Sequence, residues 1–149
     1  MNLYDQISED IKKAMLAKDK VRLEALRGVK KEFIEAKTAK GASGELDDDA
    51  GIKIIQKMIK QRKESAEIYR SKERAELADN ELAEVAVLEV YLPQQMSAEE
   101  LRAVLQKIIA EVGAQSPADM GKVMGAASKQ LAGKAEGRAI SEQVKALLQ

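Results

Sequence analysis

The sequence predicts an all-α protein with an N-terminal bundle of about four helices followed by a small three-helix tail domain. Apolar residues recur at helical spacing along most of the 149 residues. Aromatic residues make up only 3% of the chain, so the core must be built from aliphatic side chains. The two prolines, Pro93 and Pro117, both fall between helical patterns, where a helix has to end.

Composition narrows the classes of function. The 25 basic and 25 acidic residues cancel, which excludes a uniformly basic nucleic-acid binder but leaves local patches open. The chain has no Cys and no His, so it lacks thiolate ligands, the commonest metal ligand and the usual general base. We therefore expect no metal and no cofactor.

The sequence contains neither the pattern of a membrane-spanning helix nor that of a signal peptide. No apolar run approaches the ~20 residues that a membrane helix needs. The N-terminal residues lack the basic-then-apolar layout of a signal peptide. We therefore expect a cytoplasmic protein with no membrane contact.

Two amphipathic helices open the chain. The first spans residues 3–18 with Asn2 as its cap, and the second starts after the cap Asp19 and runs to about Lys40. One face of the second helix is apolar and the opposite face is basic. The basic face consists of Lys20, Arg22, Arg27, Lys30, Lys31, Lys37 and Lys40, against Glu24, Glu32 and Glu35.

Three consecutive acids, residues 47–49, follow a loop of small residues at 41–44. They could form a metal site or the start of a helix. The calcium-loop spacing fails because Met58 stands where that loop needs a bidentate Glu. Carboxylates cap free N–H groups and favour the positive end of the helix dipole, so we predict a cap. The third helix should then run from about Ala50 to Glu76.

The third and fourth helices carry opposite charge. Five cations and no acid lie between Lys53 and Lys63, whereas Arg74 is the only base among the acids of residues 73–92. We expect Asp79 to cap the fourth helix. The two charge blocks predict antiparallel helices with complementary faces. The alternative is that the basic half meets an anionic partner.

Pro93 ends the fourth helix and predicts a boundary between an N-terminal domain, 1–93, and a tail domain, 94–149. Ser97 opens a fifth helix with a capping-box pattern, and Gly113 suits its left-handed C-cap. Ser116 and Pro117 start a sixth helix, ended by Gly133. The last helix should run from Ala135 or Arg138 to Leu148.

Four glycines punctuate the tail. Gly121 and Gly125 lie inside the sixth helix, where each costs about 0.5–1 kcal/mol relative to Ala, so a local reason is needed. We favour close approach of a neighbouring helix; the other interpretation is that bare backbone admits an RNA phosphate or sugar. Gly133 and Gly137 are expected to be turn residues with positive φ.

The order of motifs in residues 119–125, 133–138 and 144–148 resembles the tail domain of the B subunit of glutamyl/aspartyl-tRNA amidotransferase. The whole chain is similar to the YqeY family, in which a Tyr-Leu-Pro and a Ser-led helix, as at 91–93 and Ser97, join two helical halves. The resemblance implies a two-part all-α fold and a tail that contacts tRNA. It also implies membership of an activity class, the carbon–nitrogen ligases that use glutamine as the amido-nitrogen donor.

The chain does not contain the residues that this chemistry needs. Amide transfer requires a nucleophile that releases ammonia and a nucleotide site that activates a carboxylate. The sequence offers no Cys, no His and no phosphate-binding loop, and its serines lack the lysine–serine setting of an amidase. We therefore predict a non-catalytic module associated with tRNA. The alternatives are an adaptor that binds a protein partner through the N-terminal helices, and an accessory part of a glutamine-dependent ligase complex.

The candidate RNA-binding residues are cations and glycines of the tail. The five cations face three acids over residues 119–148, a local charge of +2. No aromatic residue lies in the tail, so contact should follow RNA shape through phosphates and weaken with salt. The candidates are Gly121, Lys122, Gly125, Lys129, Lys134, Arg138 and Lys145.

Overall fold

The computed structural model describes residues 2–39, 41–42 and 44–149; these form α-helices and no strand, which confirms the all-α prediction. Lys40 and Ser43, at the predicted helix end and in the small-residue loop, lie outside the described residues. The chain divides into two compact units, Met1–Leu92 and Pro93–Gln149. The helices are α1 (Leu3–Ala17), α2 (Lys20–Thr38), α3 (Asp48–Ser71), α4 (Ala75–Glu89), α5 (Ala98–Val112), α6 (Met120–Gln130) and α7 (Gly137–Leu148), with a 3₁₀ turn at Pro117–Asp119 before α6.

Three of the four predicted caps of the first unit are confirmed. The side chains of Asn2, Asp19 and Asp47 each accept a hydrogen bond from the backbone N–H three residues on, at 2.8, 3.2 and 2.8 Å. Asp48 Oδ1 also accepts a 2.9 Å bond from the backbone N–H of Leu3, which ties the start of α1 to the start of α3. The acidic run therefore acts as a helix start.

The core of the first unit lies around Phe33, which is fully buried together with Ile7 and Leu26. Gly51 of α3 is buried beside it. A Cβ at Gly51 would lie 2.9 Å from Leu3 Cδ2 and 3.3 Å from Phe33 Cζ. The missing side chain therefore lets α1 and α2 approach α3 closely.

Helices α3 and α4 are antiparallel, as the opposed charge blocks predict. Among the described residues, three ion pairs connect them: Arg70 near the end of α3 meets Asp79 near the start of α4, whereas Arg62 and Lys63 further back meet acids further along α4. The two exposed pairs, Lys63–Glu89 and Arg70–Asp79, contribute about 0–1 kcal/mol each, whereas Arg62–Glu84 is partly buried. The pairs are Arg62–Glu84 at 3.6 Å, Lys63–Glu89 at 3.9 Å and Arg70–Asp79 at 3.9 Å.

The predicted turn between α3 and α4 is misplaced. α3 ends at Ser71 rather than Glu76, and α4 starts at Ala75, so Asp79 lies inside the helix and is not its cap. The chain reverses at Glu73, which has a left-handed φ of 59°. Neither Gly nor Pro marks this turn, so the charged sequence around it has the pattern of one continuous helix, and the predicted end of α3 falls too late.

A buried polar contact joins α1 to the residues that follow α4. Asp10, only 6% exposed, accepts a hydrogen bond from the Tyr91 hydroxyl and another from Gln6 Nε2 at 3.2 Å. Burial, and then the bond to Asp10, raise the pKa of Tyr91. The phenol therefore stays protonated and remains a donor to the buried carboxylate.

The second unit has its own core, in which α5, α6 and α7 meet. Ser97 Oγ accepts the backbone N–H of Glu100 at 3.1 Å, which confirms the predicted cap of α5. Gly113, with φ 69°, confirms the left-handed C-cap. The buried residues are Leu101, Leu105, Ile108, Val123, Ala127, Leu131, Ala135, Ile140, Val144 and Leu148.

Candidate nucleic-acid interface

Helix α6 has one buried face and one face in solvent. Val123 and Ala127 are fully buried against the tail core. Gly121 and Gly125, four residues apart, are exposed on the other side. The apolar spacing of α6 therefore turns its two glycines outward.

The favoured sequence interpretation of these glycines, close packing of a neighbouring helix, is wrong. Both are exposed, and a Cβ built on Gly121 or Gly125 has no other atom within 4 Å, apart from its own neighbourhood in the helix. The cost of glycine in a helix is therefore not offset by packing at either position. A spacing of four shows that two residues share a face, but it does not show which face.

Lysines and further small residues extend this bare surface. Lys122 and Lys129 are exposed and seven residues apart, which brings them to the same side of the helix. Ser128 is also exposed, seven residues after Gly121. Sequence reasoning missed Ser128, although the spacing of Gly121, Gly125 and Ser128 is that of one helix face. We call residues 121, 122, 125, 128 and 129 the open face of α6.

Lys134 lies in the turn between α6 and α7. Gly133 precedes it with φ 78°, which confirms the expected positive φ. Gln95 Nε2 donates to Gly133 O at 2.7 Å, and Met96 N donates to Lys134 O at 3.0 Å. The turn is therefore fastened to the segment that follows Pro93, a connection that the sequence pattern does not reveal.

Gly137 was expected to adopt positive φ, and that prediction is wrong. α7 begins at Gly137, whose φ is not positive. Its neighbour Glu136 is the N-cap and makes no side-chain capping bond. Gly133 alone supplies the left-handed residue of this turn, so a second one is not needed.

The two candidate cations of α7 are exposed and seven residues apart on one side of the helix. Arg138 Nε lies 3.1 Å from Glu142 Oε1, with the two side chains 86% and 66% exposed. So exposed a pair is weak, and Arg138 can exchange Glu142 for another anion at little cost. Lys145 lies one further turn along from Glu142.

The acid nearest the start of α6 is held ionised. The backbone N–H of Gln115, then that of Ser116, lowers the pKa of Asp119, and the charge of Lys122 adds to the effect. The Asp119 Oδ2 accepts the Gln115 N–H at 2.9 Å. Asp119 therefore reduces the local positive charge beside Lys122, and the open face of α6 is only mildly basic.

Two structural findings bear on other functions. Among the described residues, no group of three or more acidic side chains is arranged to hold a metal ion. No helix in the described part of the chain has the length and apolarity needed to cross a bilayer.

The fold and these surfaces define a helical protein with an exposed, mildly basic tail surface. The Yqey-like protein family matches residues 4–148, nearly the whole length. The chain therefore belongs to the YqeY family.

Curated relatives carry one name, "Altered inheritance of mitochondria protein 41, mitochondrial". The Lachancea thermotolerans protein is 31% identical over 113 residues, which cover 74% of this chain and 60% of the relative. The Kluyveromyces lactis protein is 33% identical over 114 residues with the same coverage. The Pyrenophora tritici-repentis protein is 37% identical over 87 residues, or 58% and 46% of the two chains.

The names and lengths of these relatives bear on the cellular location and on how far the match extends. Their names are mitochondrial, which contradicts the cytoplasmic location expected from the sequence. That expectation rested on the absence of a recognisable leader, and such an absence does not identify a compartment. The chain spans about 60% of the length of the Lachancea and Kluyveromyces relatives.

Proposed function

We propose that this protein is a non-catalytic helical module that associates with tRNA, and that the tail unit makes the contact. The observation that carries the proposal is the open face of α6, where Gly121 and Gly125 present bare backbone beside Lys122 and Lys129. The resemblance of the tail to that of a tRNA-dependent amidotransferase supports RNA as the ligand.

Physical chemistry explains how such a face would bind RNA. The two glycines let a sugar–phosphate backbone come close to the helix, and the lysines beside them would neutralise the phosphates. The tail has no aromatic residue for stacking on bases. Recognition would therefore follow the shape of folded RNA, with little dependence on its sequence. Each phosphate neutralised should contribute roughly 0.7–0.9 to the slope of log affinity against log salt.

The experiment is binding of labelled tRNA to the full chain, titrated against salt and followed by fluorescence anisotropy. Because the relatives carry mitochondrial names, the panel includes mitochondrial tRNAs. The test variant replaces Lys122, Lys134 and Arg138 together with Glu. We expect this variant to lose tRNA binding while its circular dichroism and melting temperature stay close to those of the wild type, because all three side chains are exposed.

A matched control keeps the charge change and moves it to the other unit. Lys53, Lys57 and Lys60 of α3 are three exposed lysines on one helix side, and their replacement by Glu should leave tRNA affinity close to that of the wild type. If the tail variant binds as well as the wild type, the tail is not the contact. If both variants lose binding equally, the attraction is general and not specific to the tail.

We infer that the chain by itself does not transfer amide nitrogen. It lacks Cys and His, and the Ser97 hydroxyl that donates to Glu100 Oε1 at 3.1 Å belongs to the cap of α5. An accessory role in a glutamine-dependent ligase complex stays compatible with this inference. Ammonia release from glutamine by the purified chain would contradict it.

A second candidate is an adaptor that binds a protein through the N-terminal helices. The observation that favours it is the exposure of large apolar side chains on α1, with Leu16 87% and Met15 52% exposed. Leu16→Ser with Met15→Ser should then abolish co-purification of a stable protein partner. Co-purification of a partner without RNA, lost in this variant, would favour the adaptor over the tRNA module.

A further inference from the structure

We propose that Gln95 is a positioning residue that holds Lys134 in place for contact with RNA phosphate. This inference rests on the proposed function and identifies a residue, outside the basic surface itself, on which affinity depends. Gln95 lies in the segment between Pro93 and α5 and contributes no charge.

The Gln95 amide uses both of its N–H donors on backbone carbonyls. Nε2 lies 2.9 Å from Pro93 O and 2.7 Å from Gly133 O. The first bond orients the side chain on its own segment, and the second reaches 38 residues along the chain. The side chain thereby connects the segment before α5 to the turn between α6 and α7.

The backbone of Lys134 is held on both sides. Its N–H donates to Leu131 O at 2.9 Å, and its carbonyl accepts the N–H of Met96 at 3.0 Å. Gln95 holds the preceding carbonyl, that of Gly133. The side chain of Lys134 is nevertheless exposed, so a fixed backbone presents a free ammonium group to solvent.

A cation on a fixed backbone binds an anion better than one on a mobile loop, because less conformational freedom is lost on binding. The Gly133 bond is the only link from the Gln95 side chain to this turn among the described hydrogen bonds. Its loss should loosen the turn without changing any charge. Gln95 should therefore act on RNA through Lys134, and the two residues should not contribute independently.

The experiment is a double-mutant cycle in the full chain with Gln95→Leu, which removes both donors at similar size, and Lys134→Gln, which removes the charge. We measure tRNA affinity by anisotropy at several salt concentrations, and amide exchange at Met96. Gln94→Leu is the matched control, since Gln94 is the exposed neighbour of the same type.

We expect Gln95→Leu to weaken tRNA binding by about threefold to tenfold, within the range of couplings between contacting residues. Met96 should exchange faster, and Gln94→Leu should behave as the wild type. In the Lys134→Gln background, Gln95→Leu should have no further effect on affinity. Gln95→Asn, one methylene shorter, should reproduce the loss if Leu at this position disturbs folding.

Two results would overturn this role. Unchanged tRNA affinity or unchanged Met96 exchange in both Gln95 variants would show that the side chain does not hold the turn. Additive losses in the double variant would show that Gln95 acts independently of Lys134. A wild-type chain that binds no tRNA at low salt would instead refute the proposed function and this inference with it; Met96 exchange would still report whether Gln95 holds the turn.

Discussion

Helices α3 and α6 both contain glycine, but its surroundings are opposite in the two helices. Gly51 of α3 is buried, and a Cβ there would lie 2.9 Å from Leu3 Cδ2. Gly121 and Gly125 of α6 have open space where a Cβ would be. In α3 the glycine is explained by the packing of the fold, whereas in α6 packing gives no reason for it.

The cations of the two units differ in the same way. On α3, Arg62, Lys63 and Arg70 meet acids of α4 within 4 Å, so part of the basic block serves the fold. On α6, Lys122 and Lys129 are exposed on a helix whose buried side is purely apolar. Residue types that look alike in the sequence thus serve folding in one unit and lie in solvent in the other.

The largest effect on stability is expected at Gly51. Gly51→Leu should lower the free energy of unfolding by about 2–3 kcal/mol, because the added side chain overpacks a site already in contact with Phe33. Urea denaturation measures this, with Gly125→Leu as the matched control in open space. A Gly51 variant as stable as the wild type would show that the contact with α1 and α2 is not tight.

A somewhat smaller effect is expected at Tyr91. Tyr91→Phe removes a donor from the buried Asp10 and should cost about 1.5–2 kcal/mol, the lower part of the range for hydrogen bonds to charged groups. Chemical denaturation should reveal it as a lower midpoint with an unchanged slope. Tyr69→Phe, which removes a hydroxyl from a half-buried side chain of α3, serves as the control. An equal loss of stability in both variants would mean that the hydrogen bond from Tyr91 to Asp10 adds no more than the hydroxyl of Tyr69 does.

The glycines of α6 should show an effect of the opposite sign. Gly125→Ala should stabilise the protein by about 0.5–1 kcal/mol, because alanine favours the helix and its methyl group meets no atom; Gly121→Ala, in the first turn of α6, should stabilise it by less. Thermal unfolding of the single and double variants measures this. A loss of stability would mean that something packs on the open face of α6 after all.

The smallest effect is expected at the Arg62–Glu84 pair. The pKa of Glu84 is raised above 4.5, mainly because burial disfavours its charge, and Arg62 compensates only in part. Ionised Glu84 therefore costs stability, and Glu84→Gln should change the free energy of unfolding by no more than about 0.5 kcal/mol at pH 7.

The raised pKa of Glu84 also determines how the free energy of unfolding changes with pH. A carboxyl whose pKa is higher in the folded state destabilises the protein as pH rises through 4.5 toward the folded pKa. Relative to Glu84→Gln, the wild type should therefore gain stability as pH falls from 7 to 4.5. Urea titrations of both proteins at the two pH values check this, and a large loss for the variant at pH 7 would show that the ion pair outweighs the burial.

The sequence predicts well those features that a local rule controls. Asn2, Asp19, Asp47 and Ser97 are found at the helix starts where their side chains accept free N–H groups. Gly113 is found in the left-handed cap that its lack of a Cβ allows. The all-α class follows because these signals agree with the apolar spacing.

Three kinds of feature could not be predicted from the sequence: a turn without a marker residue, the side of a helix that meets the core, and a hydrogen bond between distant segments. The turn at Glu73 has no glycine or proline to mark it. The direction of Gly121 and Gly125 depends on which side of α6 meets the core. The Gln95–Gly133 bond joins segments 38 residues apart, and an uncharged side chain in a linker gives no sequence signal for it.

The central claim is that the open face of α6 is bare because RNA approaches it. The most direct test is the tRNA affinity of Gly121→Ala/Gly125→Ala beside its melting temperature. We predict a protein that is more stable than the wild type and binds tRNA more weakly, because two methyl groups keep the phosphate backbone away. A variant that is more stable and binds tRNA as tightly as the wild type would contradict the claim.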